Sequence, residues 1–306
     1  MDNSKIIYPQ PLADGDTIAI CSPAGSVDPL KVFEARRVLE QQGWKVRIMP
    51  HALGEHGIYS ASDDERLGDM TAALTDPEIR AVLCSRGGYG VVHILEQLDT
   101  IDMTRDPKWI IGYSDISALH ALTAKKGIAS IHASMCDHIR HGADDEDNAM
   151  LFRILRGERP VVTFPSCTRY DRPGTASGRL IGGNFAVLNG LIGTPYDIFK
   201  PGIILFIEDI SEPIYKIERM LYQLQLSGVL EKLGGLIVGQ FTRYTPDKSY
   251  DTMEEMIWEM VAPYSFPVAF NVPIGHVDHN IPVIENATVT LKVTATPTNS
   301  LITWAN

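Results

Sequence analysis

The chain has 306 residues, 44% of them hydrophobic and 21% charged, and a formal net charge of -11. That is enough for one large domain or two ordinary ones with a real core. The acidic balance argues against a nucleic-acid partner, whose phosphates call for Lys and Arg. The opening residues from Met1 to Pro9 show no basic stretch leading into an apolar run. No signal peptide and no membrane span are therefore expected, and the cytoplasm is the default location. Cys21, Cys84, Cys136 and Cys167 form no CxxC pair. Cys21 and Cys84 lie in apolar runs, which suits buried thiols in a reducing compartment.

In chain order, Asp16–Cys21 reads as a short apolar strand that ends in the turn Ser22-Pro23-Ala24-Gly25-Ser26. A helix is expected over Pro29–Gln42, with Val32, Ala35, Val38 and Leu39 on one side and Gly43 as its C-terminal stop. Trp44–Met49 is a second strand, Asp63–Leu74 a helix, and Arg80–Cys84 a third strand running into Ser85-Arg86-Gly87-Gly88-Tyr89-Gly90. Val91–Leu98 reads as a helix, Trp109–Ile111 as a fourth strand, and Ile116–Ala124 as the next helix. Repeated βα units of this kind predict a parallel, helix-covered sheet. Residues 157–178, with Pro160, Pro165, Pro173, Gly174, Gly178 and the polar run Ser166–Arg172, break the rhythm. They read as a link between a domain over 1–156 and another over 179–306. The second half carries an apolar strand at Ile203–Ile207, a helix at Pro213–Leu226, a strand at Gly235–Gly239 and an alternating strand at Ala287–Thr294. It reads as a β-rich α/β domain.

Open α/β sheets place their sites at strand ends, and four strand ends carry candidate residues. The run Trp109–Gly112 stops at a glycine and Ser114 follows on a tight strand-to-helix turn. That turn lifts a hydroxyl out of the backbone for nucleophilic attack and leaves the Asp115 amide as an oxyanion donor, although such a serine also makes an ordinary helix cap. The Arg86–Gly90 loop reads either as a cradle for negative charge, with Arg86 receiving a carboxylate, or as a turn needing positive φ. It is no Walker loop, since no Lys-Ser/Thr follows the glycines. Glu208 and Asp209 after the strand Ile203–Ile207 are either exposed loop acids or a carboxylate that orients an imidazole. Gly275-His276-Val277-Asp278-His279 lacks a metal companion such as HExxH, so a histidine general base is favoured, His276 first and His279 second. The order Ser114, Glu208, His276 is that of the α/β-hydrolases.

Together, Ser22-Pro23-Ala24-Gly25, Arg86–Gly90, Gly112-Tyr113-Ser114-Asp115, Gly182-Gly183-Asn184, Leu205–Asp209 and Gly275-His276 resemble the LD-carboxypeptidase family, which includes the microcin C immunity peptidases. The resemblance runs over nearly the whole chain. It implies a flavodoxin-like N-terminal domain with a parallel sheet, a β-rich C-terminal α/β domain, and a catalytic site in the cleft between them. It implies a triad of Ser114, His276 and Glu208, with oxyanion amides from Asp115 and a glycine of the Arg86–Gly90 loop, Gly87 in preference to Gly88. Substrate contacts are expected from Arg86, Gly88 and Asn184, the last serving either the substrate or the cap of a helix starting at Phe185. The implied reaction removes the terminal D-alanine of a murein tetrapeptide by cleaving the amide after an L-centre. No metal or cofactor is implied, and the expected assembly is a homodimer. Two alternatives stand beside this: hydrolysis of peptidyl- or aminoacyl-nucleotide amides, and a non-catalytic peptide or nucleotide binder. Phe164 and Tyr170 without a Trp in the link region favour the cell-wall peptide.

Overall fold

A computed structural model describes residues 5–165, 169–295 and 299–305. Cys167 and its neighbours Ser166 and Thr168 lie outside the described residues. The chain divides into two compact units. Among the described residues, one holds 5–160 together with Ile281–Glu285, and the other holds those of Val161–Asn280 and those from Asn286 onward.

The first unit begins with β1 (Thr17–Cys21), α1 (Pro29–Gln41), β2 (Lys45–Ile48), α2 (Asp63–Thr75), β3 (Ile79–Cys84), α3 (Val91–Asp99) and β4 (Trp109–Gly112). It continues through α4 (Ser117–Lys125), β5 (Ser130–His132), α5 (Cys136–Ile139) and α6 (Glu146–Leu155). The second unit opens with β6 (Val162–Pro165), β7 (Gly174–Asn184), α7 (Phe185–Asn189), β8 (Ile204–Ile210) and α8 (Ile214–Leu226). Then come β9 (Gly235–Thr242), α9 (Met253–Val261) and β10 (Val268–Ala269). The chain next returns to the first unit for β11 (Val283–Glu285) and ends in the second with β12 (Thr288–Val293) and β13 (Asn299–Trp304).

Local chemistry accounts for most of these boundaries. Pro29 opens α1, where a missing N–H does no harm, and the Asp28 carboxylate caps it through the Leu30 N–H. Ser62 and Glu65 form a reciprocal capping box on α2. Gly43 stops α1 at φ +90°.

The first sheet has the order β11-β5-β4-β3-β1-β2, parallel from β2 to β5 with β11 antiparallel at the edge. Ile18, Ala19, Ile20 and Cys21 of β1 are all buried, as a central strand covered on both faces requires. The chain steps from β1 outward to β2 and then back across β1 to β3. The direction of winding thus reverses between β1 and β3, and the loops leaving their C-terminal ends form the crevice where such sheets bind ligands. The buried Cys21, Cys84 and Cys136 are free thiols. Burial pushes all three up, Cys136 to about 12, so thiolate chemistry is suppressed there.

The second sheet has the order β10-β9-β8-β7-β12-β13-β6. Its β7–β10 part is parallel and its β12–β13–β6 part antiparallel. β7 joins the two parts: Gly174–Arg179 pair with β12 and alternate in exposure, while Leu180–Asn184 pair with β8 and are buried throughout. Residues 157–178, read from sequence as a link, contribute β6 and the start of β7 to this sheet. Ile281–Glu285, within the stretch read as C-terminal domain, pairs with β5 of the first sheet. Among the described residues, no helix is long and apolar enough to cross a membrane.

Candidate active site

In the first unit three strand-end loops meet. The Ser85 N–H donates to Cys21 O at 2.7 Å and the Gly25 N–H to Gly87 O at 3.0 Å, which lays the Ser22–Gly25 turn along the Arg86–Gly90 loop. Ser22 Oγ donates to Ala52 O (2.6 Å) and lies 2.5 Å from Ser85 Oγ, a buried polar pair beneath both turns. Arg66 was not anticipated from sequence. Its buried guanidinium donates to Pro23 O and, at 2.9 Å, to Gly90 O, pairs with Asp63, and stacks over the Tyr59 ring. It ties the turn after β1 to the far end of the loop after β3.

The third loop carries Ser114. β4 ends at Gly112, Tyr113 is extended, and Ser114 adopts φ +67° as it opens a short 3-10 turn (Ser114–Ile116) that feeds α4. The expected helix thus begins one 3-10 turn earlier than a plain α-helix. A non-glycine residue in this left-handed region stores on the order of 1–3 kcal/mol of strain, the conformation of a nucleophile elbow. Ser114 is half-buried. A Cβ added at Gly87 would stand 2.7 Å from Ser114 Cβ and 2.9 Å from Ser114 Oγ, so only glycine fits there. At Gly88, where φ is +110°, a Cβ would meet Gly25 instead. Gly87 is therefore the glycine brought against the serine.

The Asp115 side chain is buried and accepts the Val91 N–H at 2.9 Å, which binds the elbow to the end of the glycine loop and the start of α3. Burial pushes its carboxyl above the ordinary value, against that N–H, which favours the charged form. Beneath the elbow lies His120, fully buried. Its Nε2–H donates to Gly112 O (2.9 Å) and its Nδ1 accepts from Ser130 Oγ (2.8 Å), with Glu285 of β11 at 3.7 Å from Nε2. Burial lowers its pKa to about 4, so the ring is neutral. Arg86 is exposed and donates to Ser26 O at 2.7 Å, which serves the loop. Tyr89, in the same loop, is half exposed, its ring packed edge-on to His93 at 5.2 Å.

The second unit supplies an acid and an imidazole. Glu208 lies inside β8, not after it, and is fully buried, so it is no exposed loop acid. The β8–β9 register slips between Ile207 and Asp209, a local irregularity that re-aims the intervening side chain. Gly239 and Gly275 leave the room: a Cβ at Gly275, where φ is +127°, would lie 2.8 Å from Glu208 Oε2. There His276 Nδ1–H donates to Glu208 Oε2 at 2.7 Å. The His276 side chain is 14% exposed. Its loop is anchored to β9 by the Gln240 N–H on Ile274 O (2.9 Å), and Asn280 Oδ1 accepts the Gly275 N–H at 2.9 Å. His279 is exposed.

Gly182-Gly183-Asn184 serves packing and capping. A Cβ at Gly182 would fall 2.0 Å from Phe206 O, so the glycine permits the close β7–β8 approach. Asn184 Oδ1 accepts the Val187 N–H at 3.2 Å as the N-cap of α7, and its Nδ2 donates to Asp209 Oδ1 at 3.0 Å. Asp209 also accepts the Ala186 N–H, and burial pushes its carboxyl up to about 6. Among the described residues, the histidines and carboxylates that gather at metal-binding spacing are His138, His141 and Asp145, not those of the Gly275–His279 loop.

An elbow serine set against a glycine loop, and a histidine held by a buried glutamate, are the parts of a serine hydrolase. Comparisons with known proteins identify the family. Residues 18–133 match the family model for the LD-carboxypeptidase N-terminal domain and residues 177–291 that for the LD-carboxypeptidase C-terminal domain. A probable murein peptide carboxypeptidase of Bacillus subtilis is 33% identical over 282 residues, covering 90% of this chain and 88% of its own. The crystal structure of muramoyltetrapeptide carboxypeptidase from Oxalobacter formigenes superposes with a TM-score of 0.83 at 27% identity, over 95% of this chain and 99% of that one. The microcin C7 self immunity protein MccF in complex with aspartyl sulfamoyl adenosine shares the fold, with a TM-score of 0.82 at 22% identity and 98% of each chain covered. With both family domains matched in order over most of its length, the chain belongs to the LD-carboxypeptidase family of serine peptidases.

Proposed function

We propose that the protein is a serine carboxypeptidase that hydrolyses the amide before the terminal D-alanine of murein tetrapeptides. The observation that carries this reading is Ser114 at φ +67° with Gly87 packed on its side chain. Ser114 Oγ attacks the scissile carbonyl. The Nδ1–H of His276 is committed to Glu208, which fixes the tautomer and leaves Nε2 as the lone-pair base for the serine proton. The imidazolium so formed is stabilised by the buried Glu208 carboxylate and returns its proton to the departing D-alanine amine. Water then releases the acyl-enzyme by the same route. The Asp115 and Gly87 amides serve as oxyanion donors. Arg86, exposed and with donors beyond the one on Ser26 O, meets the substrate carboxylate, and the Gly88 backbone lies beside it. This reading takes Ser114 from one unit and Glu208 and His276 from the other. We place the enzyme in the cytoplasm as a homodimer.

The nucleotide-amide reading draws less support. Phe164 is buried in β6 and Tyr170 packs on Phe270 at 5.7 Å and Trp258 at 6.2 Å, so both aromatics of the link region serve the core of their own unit. The test is D-alanine release from a murein tetrapeptide, run beside an aminoacyl sulfamoyl adenosine. Ser114→Ala is expected to abolish release by a factor on the order of 10⁶. Wild-type turnover of the nucleotide amide alone would sink the murein reading. Full activity in Ser114→Ala would sink the serine mechanism.

A further inference from the structure

Arg66 lies outside the groups that the proposed hydrolysis uses, yet its charge is buried beside them. It sits in the first turn of α2, whose start is pinned by the Ser62–Glu65 capping box. Nη1 donates to Pro23 O and to Gly90 O, the latter at 2.9 Å, and Nη2 donates to Asp63 Oδ1. The side chain is 0% exposed. A Cβ at Gly90 would stand 2.9 Å from Nη1, so glycine is what lets the loop come this close.

The peptide that joins Gly90 to Val91 is thereby held from both sides. Arg66 holds its C=O, and the Asp115 carboxylate holds its N–H at 2.9 Å. Asp115 follows Ser114, so the clamp runs from α2 through one peptide plane to the elbow. The two charges also feel each other. Burial raises the Asp115 carboxyl, and the Val91 N–H and then the Arg66 cation oppose that rise. Nearer the start of the same loop, Gly87 O accepts the Gly25 N–H at 3.0 Å. Gly25 lies two residues after Pro23, whose O Arg66 also holds. The loop that presses Gly87 on Ser114 is therefore tied at two points, and Arg66 touches both ties.

The plainer account is a tether that keeps α2 on the sheet. A buried ion pair is a poor device for that, because well-packed apolar side chains of similar volume often do as well. What a guanidinium adds is direction, a planar fork whose N–H groups point along fixed lines. Direction matters where an amide must meet a developing oxyanion, since losing one such donor costs about 10²–10³ in kcat.

We propose that Arg66 and the Asp115 side chain are positioning residues that clamp the Gly90–Val91 peptide and thereby set the Gly87 and Asp115 amides around the oxyanion formed at Ser114. The proposal rests on the serine carboxypeptidase reading. Arg66 is sealed from solvent, so the clamp acts through those amides on the transition state and leaves ground-state binding alone.

The test measures D-alanine release by the wild type, Arg66→Lys, Asp115→Asn and the double variant, at a temperature where circular dichroism finds each folded. Lysine keeps the charge but lacks the planar fork. Arg66→Lys should lower kcat by about 100-fold with KM within ~3-fold of wild type. Asp115→Asn keeps an oxygen for the Val91 N–H but loses the charge, and should lose about 10-fold. Both act through one peptide, so the double variant should lose about 100-fold and not the roughly 1000-fold of independent effects. A peptide boronic acid, which becomes a tetrahedral anion on the serine, should lose affinity by the same factor as kcat/KM. A wild-type kcat in Arg66→Lys, losses that multiply in the double variant, or an unchanged boronate affinity in a slowed variant would each overturn the proposal. Should Arg66→Lys fail to fold, Asp115→Asn decides alone through its kcat and its boronate affinity. Absence of D-alanine release by the wild type would instead overturn the peptidase reading, and the proposal with it.

Discussion

Gly87→Ala separates a glycine needed for close approach to Ser114 from one needed only for a turn. The new Cβ would stand 2.7 Å from Ser114 Cβ, 2.9 Å from its Oγ and 3.3 Å from Tyr113 O. Carbon contacts settle near 3.5–4.0 Å, so roughly 0.8 Å of movement is required. The glycine loop cannot retreat freely, because Gly87 O accepts the Gly25 N–H. Ser114, already at φ +67°, has little backbone freedom to yield. Overpacking of this kind costs about 1–3 kcal/mol of stability, and a displacement near 1 Å at a reacting group costs about 100-fold in rate. The expected outcome is a kcat/KM for D-alanine release about 100-fold below wild type, with a Tm lower by several degrees. Gly88→Ala is the control. Its φ of +110° makes the substitution strained by about 1–2 kcal/mol, but its Cβ would meet Gly25 and not Ser114. It should lose comparable stability and no more than ~5-fold in rate. A Gly87→Ala enzyme within ~3-fold of wild type, or a Gly88→Ala enzyme equally slow, would refute the assignment of Gly87 to the serine.

Glu208→Gln should lower kcat by about 10⁴ with little change in KM, since it removes the charge behind His276 while keeping its shape; steady-state kinetics reads this directly. Gly275→Ala should impair activity as well, because its Cβ would press on Glu208 Oε2 at 2.8 Å, and a wild-type rate would contradict the packing described. Two buried groups give opposite pH slopes. Asp209, raised by burial to about 6, holds in the folded state a proton that the unfolded chain releases near 3.9. Unfolding free energy therefore falls as pH rises from about 4 to 6, by at most about 1.4 kcal/mol per unit. His120, lowered by burial to about 4, refuses a proton that the unfolded chain accepts near 6.5. Its contribution makes stability fall as pH drops from about 6.5 to 4. Urea denaturation across this range should show Asp209→Asn gaining on wild type as pH rises and His120→Gln gaining as pH falls. Variant-minus-wild-type differences that stay constant with pH would contradict both assignments.

Much of the first unit could be read from the chain because its signals are local. Apolar runs, a proline or cap at helix starts and glycine at helix stops mark β1–β4 and α1–α4 within a residue or two. β5 and β11 escaped notice because each has three residues, Ser130-Ile131-His132 and Val283-Ile284-Glu285, too short for any period to show. The strands inside 157–178 were hidden by prolines and glycines that belong to an edge strand and to the start of β7, where they do no harm.

The site divides in the same way. Ser114 and the glycine loop announce themselves, since an elbow and a close backbone approach need particular residues in a few consecutive positions. The choice between Gly87 and Gly88, the burial of Glu208 and the commitment of Asn184 to a helix cap do not. Each depends on what a neighbouring strand brings alongside, a β8–β9 register slip in one case and a serine 27 positions later in another. Sequence by itself therefore determined which residues could do chemistry, because turn and cap geometry is written in adjacent side chains. Tertiary structure alone decided which of them face one another, because pairing between strands far apart in the chain sets where each side chain points.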